Sequence, residues 1–245
     1  MPVSYPGFKG GDRTNIDLPN VQRNCLKALK QAGKKVVYVN CSGSAIALTP
    51  ETESCDAILQ AWYSGESGGQ AVADVLFGDY NPSGKLPITF YKSSNQLKDF
   101  EDYSMKGRTY RFMNDALFPF GYGLSYTTFS IGNAKFSKTK IQANESVELT
   151  IPVSNVGKRD GVEIVQVYVR KVNDTDGPIK TLKGFKRVDV AAGKTSQAVI
   201  NLPYSSFEFY DRTKGKLNVA SGEYEILYGN SSFSNDLKST NIIIQ

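Results

Sequence analysis

The stretch Ala61–Phe90, AWYSGESGGQAVADVLFGDYNPSGKLPITF, decides how the first part of this chain folds. Ala61, Trp62 and Tyr63 close an apolar strand that begins at Asp56, and glycines then turn the backbone. Ala71, Val72, Val75 and Leu76 recur at helical spacing, so Gly68–Phe77 is a helix with that face inward, stopped by Gly78. Asn81-Pro82-Ser83-Gly84 is a turn, and Leu86–Phe90 follows as a short strand.

Upstream, Val21, Cys25, Ala28, Leu29 and Ala32 form one apolar stripe, the buried face of a helix over Leu18–Ala32. Pro19 suits its first turn and Gly33 its stop. Lys35–Asn40 reads as a buried strand, continuous in apolar residues as parallel strands are. Ser42–Ser54 is turn-rich. Strands separated by helices with short turns give a layered α/β unit with a mostly parallel sheet. Two helices cannot cover both faces of about three strands. The unit is therefore expected to be a partial α/β sandwich whose remainder lies upstream.

Downstream, residues 92–125 are irregular and rich in Tyr, Phe and Gly. Flexible tethers are Gly/Ser-rich or charged, so this segment is expected to pack against the layered unit as a strap. From Tyr126 the pattern turns to period two. Strands are expected at Val147–Val153, Val162–Val169, Thr181–Val190, Gln197–Leu202, Tyr224–Tyr228 and Asn241–Ile244, with turns between them. Such short strands over about 120 residues mark an all-β immunoglobulin-like or fibronectin-type sandwich. The expected division is 1–91, 92–125 and 126–245.

Composition narrows the functional classes. The 245 residues hold 40% hydrophobic and 22% charged side chains, as soluble globular proteins do. No apolar run reaches the roughly 18 residues of a membrane span. The N-terminal MPVSYPGFKGGDRT has neither the basic nor the apolar region of a signal peptide. The net charge of +5 is scattered, and isolated pairs such as Lys34-Lys35 are solvated faces rather than a nucleic-acid stripe. Cys25, Cys41 and Cys55 match no zinc spacing and are expected to be buried, unreactive thiols.

Histidine is absent from the sequence, and that decides the reading of Gly65-Glu66-Ser67-Gly68-Gly69. The five residues fit the G-x-S-x-G elbow of serine hydrolases. A serine nucleophile needs a base to take its proton, normally histidine. No S-x-x-K pattern accompanies Ser67 either, so Ser67 is a turn residue and its glycines serve close packing. Neither phosphate-binding glycine motif occurs, so no nucleotide is implied. Phe8–Thr14, with paired glycines beside Lys9, Asp12 and Arg13, reads either as a polar loop suited to sugar hydroxyls or as a salt-bridged turn. Glu51 and Glu53 flank a helix or turn start, where the helix dipole accounts for them, and Glu66 has no evident partner.

Three ordered motifs then carry a resemblance. AWYSGESGG and ADVLFGDYNPSGKLPITF resemble the C-terminal α/β-sandwich domain of glycoside hydrolase family 3, which includes β-glucosidases and β-xylosidases. Gly10–Pro19, GGDRTNIDLP, and Leu117–Phe129, LFPFGYGLSYTTF, are similar to further segments of that family. Ser154-Asn155-Val156-Gly157 and Leu182-Lys183-Gly184-Phe185 resemble its fibronectin III-like domain.

The resemblance implies a retaining exo-β-glycosidase acting on oligosaccharides, disaccharides or aryl β-glycosides, without cofactor or metal. It places the nucleophilic aspartate on an N-terminal (β/α)8 barrel and the acid/base glutamate in an acidic run before the G-x-D-R segment. Met1–Gly11 contains neither Asp nor Glu, so no catalytic residue is assigned, and this chain alone is expected to be inactive. Lys9, Asp12 and Arg13 are the substrate-binding candidates that the resemblance leaves. It also implies a secreted or periplasmic enzyme. A truncated sheet is expected to expose apolar surface and to self-associate. The competing class is a non-catalytic carbohydrate-binding or adhesion module, with Phe207, Phe209 and Tyr210 as its aromatic strip.

Overall fold

The computed structural model describes residues 15–99, 101–211 and 213–245, in two compact units. The first comprises the described residues to Asp79 together with Ile88–Thr109 and Asp115–Pro119. Its elements run α1 (Asn20–Gln31), β1 (Val37–Asn40), α2 (Thr49–Ser54), β2 (Ala57–Gln60) and α3 (Gly68–Phe77). Strands β1 and β2 pair in parallel, with Val37 opposite Ala57 and Asn40 opposite Gln60. Leu18, Ile46 and Leu48 form the small core, packed by Leu26, Tyr38, Ile58 and Leu117.

The expected apolar stripe of α1 lies outward instead. Val21 is 82% exposed and Leu29 42%, and Cys25, Ala28 and Ala32 are exposed as well. At 3.6 residues per turn, Arg23 and Leu26 sit about 200° and 140° round the axis from Val21. They face inward, Leu26 onto the small core and Arg23 onto the buried carboxylate of Glu51 in α2. A buried carboxylate needs a cation, and that need sets which side of α1 docks.

Other expectations change because the two-stranded sheet is too narrow to cover its neighbours. Val37 opens β1 at 51% exposure, so this strand is not fully buried. In α3, Val72 and Val75 are half-buried while Ala71, Leu76 and Phe77 are exposed. Cys25 and Cys41 are exposed thiols, and only Cys55 is buried, its pKa raised by that burial. Leu86–Phe90 forms no strand. Phe90 instead exchanges backbone hydrogen bonds with Leu117 and Phe118, at 2.8 and 2.9 Å.

The second unit comprises Tyr80–Pro87, Tyr110–Asn114 and Phe120–Gln245. It is a sandwich of two sheets. Strands β3 (Phe129–Ile131) and β4 (Lys135–Phe136) pair in turn with β6 (Ser146–Asn155), whose other edge pairs with β9 (Thr195–Pro203). The facing sheet orders β5 (Lys140–Ile141), β13 (Leu237–Ile244), β12 (Gly222–Gly229), β7 (Gly161–Lys171) and β8 (Thr181–Val190). A small hairpin, β10 (Phe209–Asp211) with β11 (Lys216–Asn218), stands beside them.

All six expected strands are present. The unforeseen ones are the short β3, β4, β5, β10 and β11, too brief to show alternation. Along β6, Val147, Leu149, Ile151 and Val153 point into the core with no exposed surface, while the residues between them point away. In β7 the alternation is lost, because Gln166 and Tyr168 on the outer face are also buried. Tyr110 and Gly121 cover them: the rings of Tyr110 and Tyr168 meet edge to face, and Gln166 Nε2 donates to the Gly121 carbonyl at 3.0 Å.

Candidate functional site

Lys9, Asp12 and Arg13, and the Phe8–Thr14 loop that holds them, lie outside the described residues. Within the first unit, the place where an open α/β sheet binds ligands is the carboxyl end of its parallel strands. There β1 ends on Asn40 and β2 on Gln60, directly opposite each other.

Their amides tie the two following loops together. Asn40 Nδ2 donates to Gln60 Oε1 at 2.6 Å and to Ser42 Oγ at 3.0 Å. Gln60 Nε2 donates to the Ser42 carbonyl at 3.1 Å, and Ser42 Oγ to the Ser44 carbonyl at 2.9 Å. Tyr38 donates its hydroxyl proton to Asn40 Oδ1 at 2.9 Å, and burial raises the phenol pKa, which keeps it a neutral donor. Asn40 and Ser42 are buried, so the network replaces the water that these groups would otherwise need.

The loop after β2 is bent by a left-handed residue. Trp62 has φ 58°, a conformation that costs a non-glycine residue of order 1 kcal/mol and persists only where packing holds it. Its ring meets buried Phe90 edge to face, with centroids 6.2 Å apart, and Phe90 in turn meets Phe118 at 6.3 Å. With Trp62 anchored against Phe90, Tyr63 is left 79% exposed. Its ring lies against Gly43 in the loop after β1, where a Cβ would stand 2.7 Å from Cε2.

Ser67 does not have the geometry of a nucleophile elbow. Its φ of −86° and ψ of 13° are unstrained, it caps α3 without a side-chain hydrogen bond, and it is exposed. The glycine after it is the constrained position, since a Cβ on Gly68 would lie 1.9 Å from Ser64 Oγ. Glu66 is exposed, with no hydrogen bond or ion pair among the described residues. Glu51 answers to more than the dipole of α2, for Arg23 Nε lies 2.7 Å from its Oε1.

The edge thus holds amides and a hydroxyl that are bonded to one another, and presents one exposed aromatic ring, Tyr63. Among the described residues no group of three His, Cys, Asp or Glu is gathered to hold a metal. Sequence reasoning passed over Asn40, Ser42, Gln60, Trp62 and Tyr63. A signal was present, because Asn40 and Gln60 are the polar residues that interrupt the apolar runs of β1 and β2.

The second unit presents no flat aromatic strip at Phe207–Tyr210. Phe207 is buried, Phe209 is half-buried with Lys171 Nζ 4.7 Å over its ring, and Tyr210 is exposed opposite Leu217. No described helix is long and apolar enough to cross a membrane.

Comparison with known proteins agrees with both units. The glycosyl hydrolase family 3 C-terminal domain matches residues 6–126, and the fibronectin type III-like domain matches residues 163–232. A xylan 1,4-beta-xylosidase of Xylanibacter ruminicola is 61% identical over 244 residues, covering the whole of this chain and 28% of that protein. A periplasmic beta-glucosidase of Salmonella typhimurium is 38% identical over 234 residues, covering 87% of this chain and 31% of its own length. Among solved structures, a β-glucosidase of Streptomyces venezuelae in complex with D-glucose aligns with a TM-score of 0.85 and 29% identity, over 96% of this chain and 32% of that one. A β-glucosidase of Erythrobacter marinus aligns with a TM-score of 0.84 and 36% identity, over 96% and 31%. The chain spans about three-tenths of the length of each of these relatives. In its α/β unit and in the sandwich that follows, the chain belongs to glycoside hydrolase family 3.

Proposed function

We propose that this chain is the C-terminal part of a retaining exo-β-glycosidase that releases terminal β-linked sugars, with β-xylosides its preferred substrates. The observation that carries this reading is the 61% identity, along the whole chain, to a xylan 1,4-beta-xylosidase.

On this reading the chemistry takes two carboxylates. An aspartate on a (β/α)8 barrel attacks the anomeric carbon as the leaving oxygen takes a proton from a glutamate. That glutamate then removes a proton from the water that hydrolyses the glycosyl ester. This chain supplies neither residue, so by itself it does not hydrolyse. Lys9, Asp12 and Arg13 are its substrate-binding candidates, and the whole enzyme works in the periplasm or outside the cell, as the name of the Salmonella relative suggests for that protein.

A graft tests this. Joined to the part of the Xylanibacter xylosidase that it does not match, the chain is expected to hydrolyse an aryl β-xyloside faster than an aryl β-glucoside. The 245-residue chain alone is expected to release nothing above a blank. A folded but inactive graft, or hydrolysis by the chain alone, overturns the reading. Substitution of Lys9, Asp12 or Arg13 by Ala in the graft is expected to raise KM.

A further inference from the structure

We infer that Tyr63 is a stacking platform for a pyranose ring at the carboxyl edge of β1 and β2, and so a specificity-determining residue of the glycosidase. This rests on the glycosidase reading and adds to it a residue and a place.

Four observations converge. First, Tyr63 is 79% exposed, although an aromatic ring left in water forgoes its burial energy. Second, the residue before it is held in place: Trp62 sits at φ 58° with its indole edge to face against buried Phe90. A left-handed tryptophan is strain held in place by packing, and such strain gathers at ligand sites. Third, the ring atoms nearest a Cβ built on Gly43 are Cε2, Cδ2 and Cζ, so residue 43 supports one side of the ring, and with Tyr63 79% exposed most of the ring stays open to solvent. A side chain on residue 43 would push the ring away, since a Cβ would meet Cε2 at 2.7 Å.

Fourth, the loops after β1 and β2, which carry Gly43 and Tyr63, are tied together at their start by Asn40, Ser42 and Gln60. A flat, largely exposed ring supported by the loop after β1, at the ligand-binding end of a parallel sheet, is suited to the apolar C–H face of a sugar.

Trp62 is the single tryptophan of the chain and the neighbour of Tyr63, so its emission reports on this loop alone. The 245-residue chain is titrated with xylobiose, followed by Trp62 fluorescence and by saturation-transfer difference NMR. Both are expected to show saturable binding. Tyr63→Phe keeps the ring and is expected to bind as the parent does. Tyr63→Ala and Gly43→Ala are expected to weaken binding about fivefold. Because Tyr63 is exposed, its variants should unfold at the parent's denaturant midpoint, which checks that folding is intact.

Transfer from xylobiose that persists unchanged in Tyr63→Ala, with no change in Trp62 emission, overturns the platform and leaves the glycosidase reading standing. Absence of any transfer overturns the platform too. The xyloside-hydrolysing graft reports separately on the glycosidase reading.

Discussion

Arg23 and Glu51 form an ion pair with 2.7 Å between Nε and Oε1, in which the Glu51 side chain is only 1% exposed and that of Arg23 25%. The hydrogen bond to Glu51 raises the guanidinium pKa further above its ordinary value. Removing one member leaves the other desolvated and unpaired, which costs far more than the net worth of the pair. Arg23→Ala is therefore expected to destabilise the α/β unit by about 3 kcal/mol. Replacing both residues, Arg23→Met with Glu51→Leu, is expected to recover most of that loss. Guanidinium unfolding of the two variants checks the ordering, and equal losses in both would contradict it.

Lys180 gives the sandwich a pH dependence of definite sign. It is 3% exposed, its ammonium donates to Asn114 Oδ1 at 3.0 Å, and burial, assisted by the charge of Arg170, lowers its pKa to about 8. Below pH 8 the group is charged in both the folded and the unfolded chain, and the folded state bears the full cost of burying it. Between pH 8 and the ordinary value of 10.5 the unfolded chain binds more protons, so stability rises with pH. The gain from this residue is expected to reach about 3 kcal/mol. Unfolding free energies at pH 7 and pH 10 should differ more in the parent chain than in Lys180→Met.

Gly121 is constrained twice. Its φ is 78°, and a Cβ there would stand 1.9 Å from Gln166 Oε1. That oxygen already accepts the Tyr168 hydroxyl proton at 2.6 Å, while Gln166 Nε2 serves the carbonyls of Gly121 and Asn230. Gly121→Ala thus combines a left-handed alanine with displacement of a buried, fully bonded amide. A loss of about 2–4 kcal/mol is expected in denaturant unfolding, against less than about 1 kcal/mol for Gly84→Ala, where nothing lies within 4 Å.

How far these features were legible depends on whether their cause was local. The long strands of the sandwich announce themselves because Val147, Leu149, Ile151 and Val153 alternate against a core that the same segment supplies. The stripe of α1 misled because periodicity says which residues share a face but not what that face meets. The face that docks was chosen by Glu51, twenty-eight residues on from Arg23. Gln166 breaks the alternation of β7 because Gly121, forty-five residues earlier, supplies its partner. Tyr63 is exposed directly after a left-handed Trp62, a conformation that no composition rule foresees in a tryptophan. The family was legible because its glycine and proline turns form ordered motifs. The site residues Lys9, Asp12 and Arg13 came from a glycine-rich polar loop that allowed two readings, and from that resemblance.

The outward stripe of α1 has a consequence in solution. Val21 at 82%, Val37 at 51% and Phe77 at 84% exposure belong to one compact unit, and exposed apolar surface of this kind drives association. The chain is expected to sediment as larger species with rising concentration. Val21→Lys together with Phe77→Lys should shift it toward monomer without lowering the unfolding midpoint, because neither side chain packs in the core. Monomeric behaviour of the parent at high concentration would refute this.

Ser67 and Gly68 separate scaffold from chemistry within the segment that looks most like a catalytic elbow. Ser67 is exposed, unstrained and without a side-chain hydrogen bond at the start of α3. Ser67→Ala is therefore expected to change stability by less than about 0.5 kcal/mol and to leave xyloside hydrolysis by the graft unchanged. A nucleophile replaced by alanine would instead abolish turnover. Gly68→Ala is the damaging change, for its Cβ would meet Ser64 Oγ at 1.9 Å and Ser64 Cβ at 2.5 Å. Rotating the hydroxyl relieves the first clash but not the second, so the loop between β2 and α3 must move. A loss of about 1–3 kcal/mol follows. The same motion should disturb Trp62, so Gly68→Ala is expected to alter tryptophan emission while Ser67→Ala does not.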